Sequence, residues 1–211
     1  MPSSNAKKIR ILLLLPLFTS MLGCPWDPDR RVTPPPPPPP DYKPQITIAN
    51  VLHNLQLSYQ EQKHEEYSKL LDEAFTFVFD PRDVGLDRAW PDLTWGRGEE
   101  LDSAWNMFTG QANIDNQVVD HIELSFDEGD IRVSEENDQW RAVTLTAVDL
   151  KLFTTEQDSG DEWILQTPGG YEAYMHFVLT DETDPATDAQ IWKIIRWEDK
   201  PPRKKAIASM S

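Results

Sequence analysis

The feature that most limits how this 211-residue chain can fold is a change of hydrophobic period along it. Up to Phe108 the apolar residues recur mainly at helical spacing, and after Asn113–Asn116 they alternate as strands do. A stripe of period 3.6 cannot serve as a strand face, nor a period-two pattern as a helix face. Helices therefore come first and a run of strands second, and the two sets must bury their apolar faces against each other.

In order, Ile46–Gln62 reads as an amphipathic helix with Ile48, Val51, Leu52, Leu55 and Tyr59 on one stripe. Thr47 is placed to cap it, and Ile46 and Val51 to form a hydrophobic staple. A second helix is predicted over His64–Asp72, with Tyr67, Leu70 and Leu71 on one face. Phe75, Phe77 and Phe79 then alternate with Thr76 and Val78, a strand that ends at Asp80-Pro81. Pro81–Arg97 reads as a loop rich in Asp, Gly and Trp. A third helix follows near Gly98–Phe108, its stripe being Leu101, Ala104, Trp105 and Phe108.

Strands are predicted at Val118–Phe126, Ile131–Ser134, Trp140–Phe153, Tyr171–Thr180 and Gln190–Glu198, with acidic turns at Asp127–Asp130 and Asp181–Asp188. Pro201-Pro202 stops the structure and Arg203-Lys204-Lys205 opens a polar tail. The pattern predicts an α+β fold with two to three N-terminal helices on one face of a curved antiparallel sheet. Trp140–Phe153 is apolar on both faces, so it is covered on both sides or lines a pocket.

Ahead of this lies a different kind of segment. The apolar run Ile11–Cys24 follows Lys7, Lys8 and Arg10 and is interrupted by Pro16, Thr19 and Ser20. It is shorter than the about 20 residues a bilayer-spanning helix needs. A basic start, a short apolar stretch and small residues at its end describe a secretory signal peptide. Met21-Leu22-Gly23-Cys24 resembles a bacterial lipobox, with Met21 where the pattern usually has Leu, and Cys24 is the only cysteine in the chain. The resemblance implies cleavage before Cys24, a diacylglyceryl group on its sulfur and a palmitate-type chain on its new amine. Each buried CH₂ contributes about 0.8 kcal/mol, so two or three chains anchor stably. The implied location is a bacterial membrane, with the protein facing the periplasm or the cell exterior. An ordinary signal peptide with a chance cysteine is the alternative.

The organisation expected is a signal peptide at 1–23, a proline-rich tether at 24–44, a folded domain at 45–199 and a tail at 200–211. Pro34–Pro40 is an unbroken proline run, which takes the polyproline II form and spans roughly 20 Å. Removing the first 23 residues takes away three cations and no acids, so the net charge moves from −16 to −19. That balance argues against nucleic acid as a partner. With the one cysteine at the lipid position no disulfide is available, and the core alone must hold the domain; eight Trp and eight Phe make that feasible.

Three stretches carry a family resemblance. Asn50–Tyr59 looks like the opening helix, Glu65–Leu71 before Phe75–Pro81 like the second helix and first strand, and Trp192–Asp199 like the closing strand, of the nuclear transport factor 2-like (cystatin-like) superfamily in its SnoaL-like branch. The resemblance spans about Gln45 to Asp199. It implies a cone, in which helices and a bent sheet enclose a cavity, and it implies no particular activity, because this superfold hosts enzymes, carriers and partners alike.

Asp80 is similar in place to the base that steroid isomerases of this superfamily use to move a proton α to a carbonyl, with Tyr59 or Tyr174 as a donor. The plainer reading is that Asp80 caps the turn into Pro81. Phe77, Trp95, Trp105, Tyr174 and His176 are candidates to line the pocket. His53, His64, His121 and His176 are scattered without zinc-ligand spacing, and no glycine-rich phosphate or dinucleotide loop occurs, so neither metal nor cofactor is expected. The expected function is binding of a small apolar ligand or a protein partner by a lipid-anchored domain, without catalysis. The alternatives are an isomerase- or dehydratase-type enzyme using Asp80, and a surface-displayed homodimer pairing through its sheet.

Overall fold

The computed structural model describes residues 41–81, 93–111, 116–167 and 169–200. All of them fall within one compact unit. The signal-like run, Cys24, the tether as far as residue 40, Trp90 and the tail after Lys200 lie outside the described residues.

Helix α1 spans Ile48–Gln60, and the Thr47 side chain caps it by accepting from the Asn50 N–H at 3.2 Å. Its stripe Ile48, Val51, Leu52, Leu55 and Tyr59 is buried as the spacing requires. Asn54 faces back along the chain and exchanges two hydrogen bonds with the backbone of Lys43, at 2.7 and 2.8 Å. The chain is thus pinned to α1 two residues before the expected start of the domain. Helix α2, His64–Leu70, passes directly into strand β1, Leu71–Val78. Leu71 was expected on the face of a helix running to Asp72; it instead adopts extended backbone and starts the strand.

Strand β2, Thr94–Gly96, pairs antiparallel with β1 and leads into α3, Arg97–Phe108. The α3 face turned to the core carries Glu100, Ala104 and Phe108, at spacings of four. Trp105, expected on that face, is half exposed and packs edge-on against His64 with ring centres 5.2 Å apart.

The remaining strands are β3 Gln117–Glu128, β4 Arg132–Val133, β5 Arg141–Glu156, β6 Glu162–Gln166, β7 Tyr171–Thr183 and β8 Gln190–Lys200. They form one eight-stranded sheet ordered β2-β1-β8-β7-β5-β3, with β4 and β6 each added to β5. The α+β architecture of three helices packed on a curved sheet is as expected. Two details differ. The sheet is mixed, because β1 runs parallel to β8 while the other pairs are antiparallel. Strand β6 was not anticipated, since the acidic Asp158–Glu162 masks its start and all five of its residues are exposed.

Strand β5 supplies the bend. Its first half, Arg141–Val148, pairs with β7, and its second half, Lys151–Thr155, pairs with β6. Between them the register slips from Leu145 to Val148, and Ala147 takes a positive φ of 50°. The facing strand β3 slips at Ser125–Asp127. Paired bulges of this kind bend a strand and raise its twist. Gly129 closes the turn after β3: its N–H donates to the Thr144 carbonyl at 3.0 Å, and a Cβ there would lie 2.7 Å from that oxygen.

Register assigns the two faces of the sheet. On β7 and β8, Ala173 pairs with Asp199 and Met175 with Trp197, and these sit under the helices. The alternate rows, Tyr174 with Glu198 and His176 with Arg196, point to the opposite face. The core lies between the helices and the first face, where Leu52, Leu55, Tyr67, Ile122, Leu145, Met175, Phe177 and Ile194 are fully buried.

Candidate ligand pocket

A cavity of about 260 Å³ opens within the helix-covered face. Its wall is mostly apolar: Phe77 and Phe79 from and just after β1, Trp95 from β2, Ala104 and Met107 from α3, Leu124 from β3, Val148 and Leu150 from β5, and Trp197 from β8. Phe79 meets Trp95 at 4.7 Å between ring centres, and Phe77 lies 5.8 Å from both Trp95 and Trp197. These are ordinary aromatic contact distances. Alternation puts Phe77 and Phe79 on the same side of the chain, which is why both reach the cavity.

Against this wall stand a few polar groups. Tyr59 enters from α1, Glu100 and Ser103 from α3, Tyr171 from β7 and Asp199 from the end of β8. Glu100 is the most buried carboxylate among them, at 6% exposed. The Tyr67 hydroxyl donates to its Oε1 in a short hydrogen bond. The indole N–H of Trp95 also supports the carboxylate. Burial raises the Glu100 carboxyl above its ordinary value, and the bonds from Tyr67 and Trp95 offset only part of that. Tyr67 and Tyr59 pack edge to face with ring centres 5.3 Å apart, and both hydroxyls are pushed well up, chiefly by burial and then by the charge of Glu100. Asp199 adds to the rise at Tyr59. Tyr59, Tyr67 and Glu100 thus stand together at the edge of an apolar cavity, each with its proton affinity raised. Such a group can donate a hydrogen bond to a ligand oxygen or exchange a proton with it.

Of the residues singled out in the sequence, Tyr59, Phe77 and Trp95 meet in this cavity. Asp80 is buried, at 2% exposed, and follows β1 without joining the described lining. Trp105 faces solvent on the far side of α3. Tyr174 and His176 lie on the other face of the sheet, because their neighbours Ala173 and Met175 are the ones turned inward. Glu100, Tyr67 and Asp199 were missed. A signal for Glu100 was present: it stands four residues before Ala104 and eight before Phe108, a carboxyl inside the apolar stripe of α3.

The outer-face residues form their own cluster. His176 is fully buried, and its Nδ1 lies 2.9 Å from Ser134 Oγ. Its Nε2 is 3.7 Å from Glu198 Oε1. Arg196 Nε approaches the same oxygen at 2.6 Å and its Nη1 approaches Glu136 Oε2 at 3.3 Å, while Lys200 holds Glu198 Oε2. Burial alone would raise Glu198, but Lys200, Arg196 and His176 outweigh it and hold the carboxyl below its ordinary value. His176 is lowered, by burial first and by Arg196 and Lys200, against the opposite pull of Glu136 and Glu198.

No family model matches the chain, and no curated protein matches it by sequence. Solved structures that it is similar to include a conserved protein of Planctomyces limnophilus, at 16% identity and a TM-score of 0.46 over 72% of this chain and 90% of that one. A second is an NTF2-like protein of unknown function in nutrient uptake from Rhodospirillum rubrum, at 14% identity and a TM-score of 0.42 over 73% and 97%. A third is a dehydratase candidate of the NTF2-like family from Streptomyces avermitilis, at 18% identity and a TM-score of 0.43 over 73% and 92%. At these values the similarity is one of chain path and says nothing of activity.

Proposed function

We propose that this chain is a lipid-anchored, extracytoplasmic domain that binds a small, largely apolar ligand carrying one hydroxyl or carbonyl group. The observation behind the binding is the cavity itself: aromatic and aliphatic walls with a few convergent polar groups around Glu100 and Tyr59. Sites of that make-up fix a ligand by apolar burial and orient it by one or two hydrogen bonds. The volume, below the range of about 300–1,000 Å³ typical of drug-sized ligands, limits the ligand to a small one. The location is supported by the apolar run behind Lys7, Lys8 and Arg10 and by its terminal Cys24. Calorimetric titration of the full chain with 2-naphthol and with naphthalene tests the pocket. Saturable binding is expected for both, tighter for the alcohol, with that preference lost in Glu100→Leu; no saturable binding of either ends the reading. Labelling with a radioactive fatty acid tests the anchor, and equal label on Cys24→Ala would end it.

One observation favours an enzyme as the second reading. Glu100, hydrogen-bonded to Tyr67 beside an apolar cavity and with its proton affinity raised by burial, has the environment of a general acid–base, a role first considered for Asp80. Exchange of the α-protons of 2-tetralone in deuterated water, followed by NMR, tests it. No acceleration by the wild type, or equal acceleration by Glu100→Gln, removes the enzyme reading.

A further inference from the structure

We propose that the outer face of the sheet carries a site for one divalent transition-metal ion of the zinc class, with His176 Nε2, Glu198 and Glu136 as its protein ligands. One ligand atom from each of the three lies within 4.8 Å of the others. In a tetrahedral site with metal–ligand bonds of about 2.0–2.2 Å the donors stand about 3.4 Å apart, so small side-chain rotations close the set. His176 Nε2 and Glu198 Oε1 are already 3.7 Å apart.

The observation that points to a ligand is His176. The residue has no exposed surface, yet its Nε2 has no hydrogen-bond partner, and the carboxylate oxygen nearest to it, Glu198 Oε1, is taken up by Arg196 Nε at 2.6 Å. Leaving a buried polar atom unmet costs about 1–3 kcal/mol, which a bound ion would recover. The other ring nitrogen is accounted for. Ser134 Oγ accepts from the Glu136 N–H at 3.1 Å and lies 2.9 Å from Nδ1; in the metal-bound form its second lone pair would accept Nδ1–H. That tautomer leaves the Nε2 lone pair free and directed at the two carboxylates. An outer hydrogen bond that fixes the ring of a ligating histidine is a regular part of such sites.

Arg196 is the competitor. Its guanidinium lies against both carboxylates and balances their charge in the absence of a metal. Its side chain is 30% exposed, so it can turn into water as the ion enters, whereas Lys200 stays on the far oxygen of Glu198. Two carboxylates and a neutral imidazole leave a zinc site with a fourth position open to water. Nothing in the sequence announces the set, because its members come from the turn after β4, from β7 and from β8 rather than from one spaced motif.

Zinc chloride titrated calorimetrically into the chelator-stripped full chain, in a Cys24→Ser background, is the test. One zinc per chain is expected, weakened about tenfold or more by His176→Ala and by Glu136→Gln, and tightened by Arg196→Gln. Glu136 is a surface side chain, so its variant remains informative even if His176→Ala fails to fold. The absence of saturable binding in the wild type overturns the proposal, as does binding unchanged in Glu136→Gln.

Discussion

The two faces of the sheet each bury a glutamate, and they treat it in opposite ways. Glu100, on the helix side, has no cation among its described partners; it is met by a tyrosine hydroxyl and an indole N–H, and burial raises its proton affinity. Glu198, on the outer side, is as little exposed but lies less deep and is approached by Arg196, Lys200 and His176, which lower it against the pull of desolvation. Burial therefore does not decide the charge of a carboxylate; the partners within hydrogen-bond reach do. A carboxyl met by neutral donors leaves the cavity around it free of cations among its described lining. The charged solution suits a surface whose cations can swing aside.

The largest test of the helix side is at Tyr67, which is fully buried and touches both Tyr59 and Phe108. Tyr67→Ala removes the ring and is expected to cost about 3–5 kcal/mol in denaturant unfolding. Tyr67→Phe keeps the ring and removes only the hydroxyl, and about 1–3 kcal/mol is expected, because the buried Glu100 then loses its donor. A Tyr67→Phe cost as large as that of Tyr67→Ala would mean that the hydrogen bond to Glu100, not the packing, holds this corner together.

Next in size is the pair Glu198→Gln and Glu100→Gln. Glu198→Gln takes the charge from between two cations, Arg196 and Lys200, and is expected to cost about 1–2 kcal/mol, limited because both can reach water. Glu100→Gln keeps the shape and removes a carboxyl that burial disfavours as a charge, so a change within about 1 kcal/mol is expected. Equal costs at the two positions would erase the contrast.

The pH dependence has opposite signs. Glu100 is raised from 4.5, so the folded state binds its proton more tightly than the unfolded chain does. Its contribution is greatest below 4.5 and declines as pH rises from there through the folded value. Glu198 is lowered from 4.5, so its contribution is complete above 4.5 and is lost as pH falls through the folded value. Unfolding free energies measured from acid to neutral pH should show Glu100→Gln removing a loss on the rising side and Glu198→Gln removing a loss on the falling side. The same slope in both differences would break the assignment.

How much of this could be read from the chain follows from what each signal depends on. The stripe of α1 and its Thr47 cap are local, and both were legible. So was the run of strands, because period two survives burial on one face. The parallel pairing of β1 with β8 was not, since it joins residues more than a hundred positions apart and leaves no local mark. Strand β6 was hidden because its Trp163, Ile164 and Leu165 are exposed and do not alternate. At the site, Tyr59, Phe77 and Trp95 were legible as aromatics facing inward. Tyr174 and His176 were not separable from their inward neighbours, because a one-residue shift of register exchanges the faces.

The smallest effect expected is at Trp105, and it sharpens the comparison from the side of α3. A tryptophan in a helical stripe is ordinarily a core residue, yet Glu100, Ala104 and Phe108 take the buried face here and turn Trp105 outward. Half of its surface is already in water, and its ring contact is with His64. Trp105→Ala is therefore expected to cost under about 1 kcal/mol and to leave 2-naphthol affinity unchanged. Trp95→Ala removes a pocket wall and a donor to Glu100, so it should weaken that affinity. If Trp105→Ala weakened it as much, the face of α3 that meets the ligand would be the one the sequence suggests, and Glu100 would lose its place in the pocket.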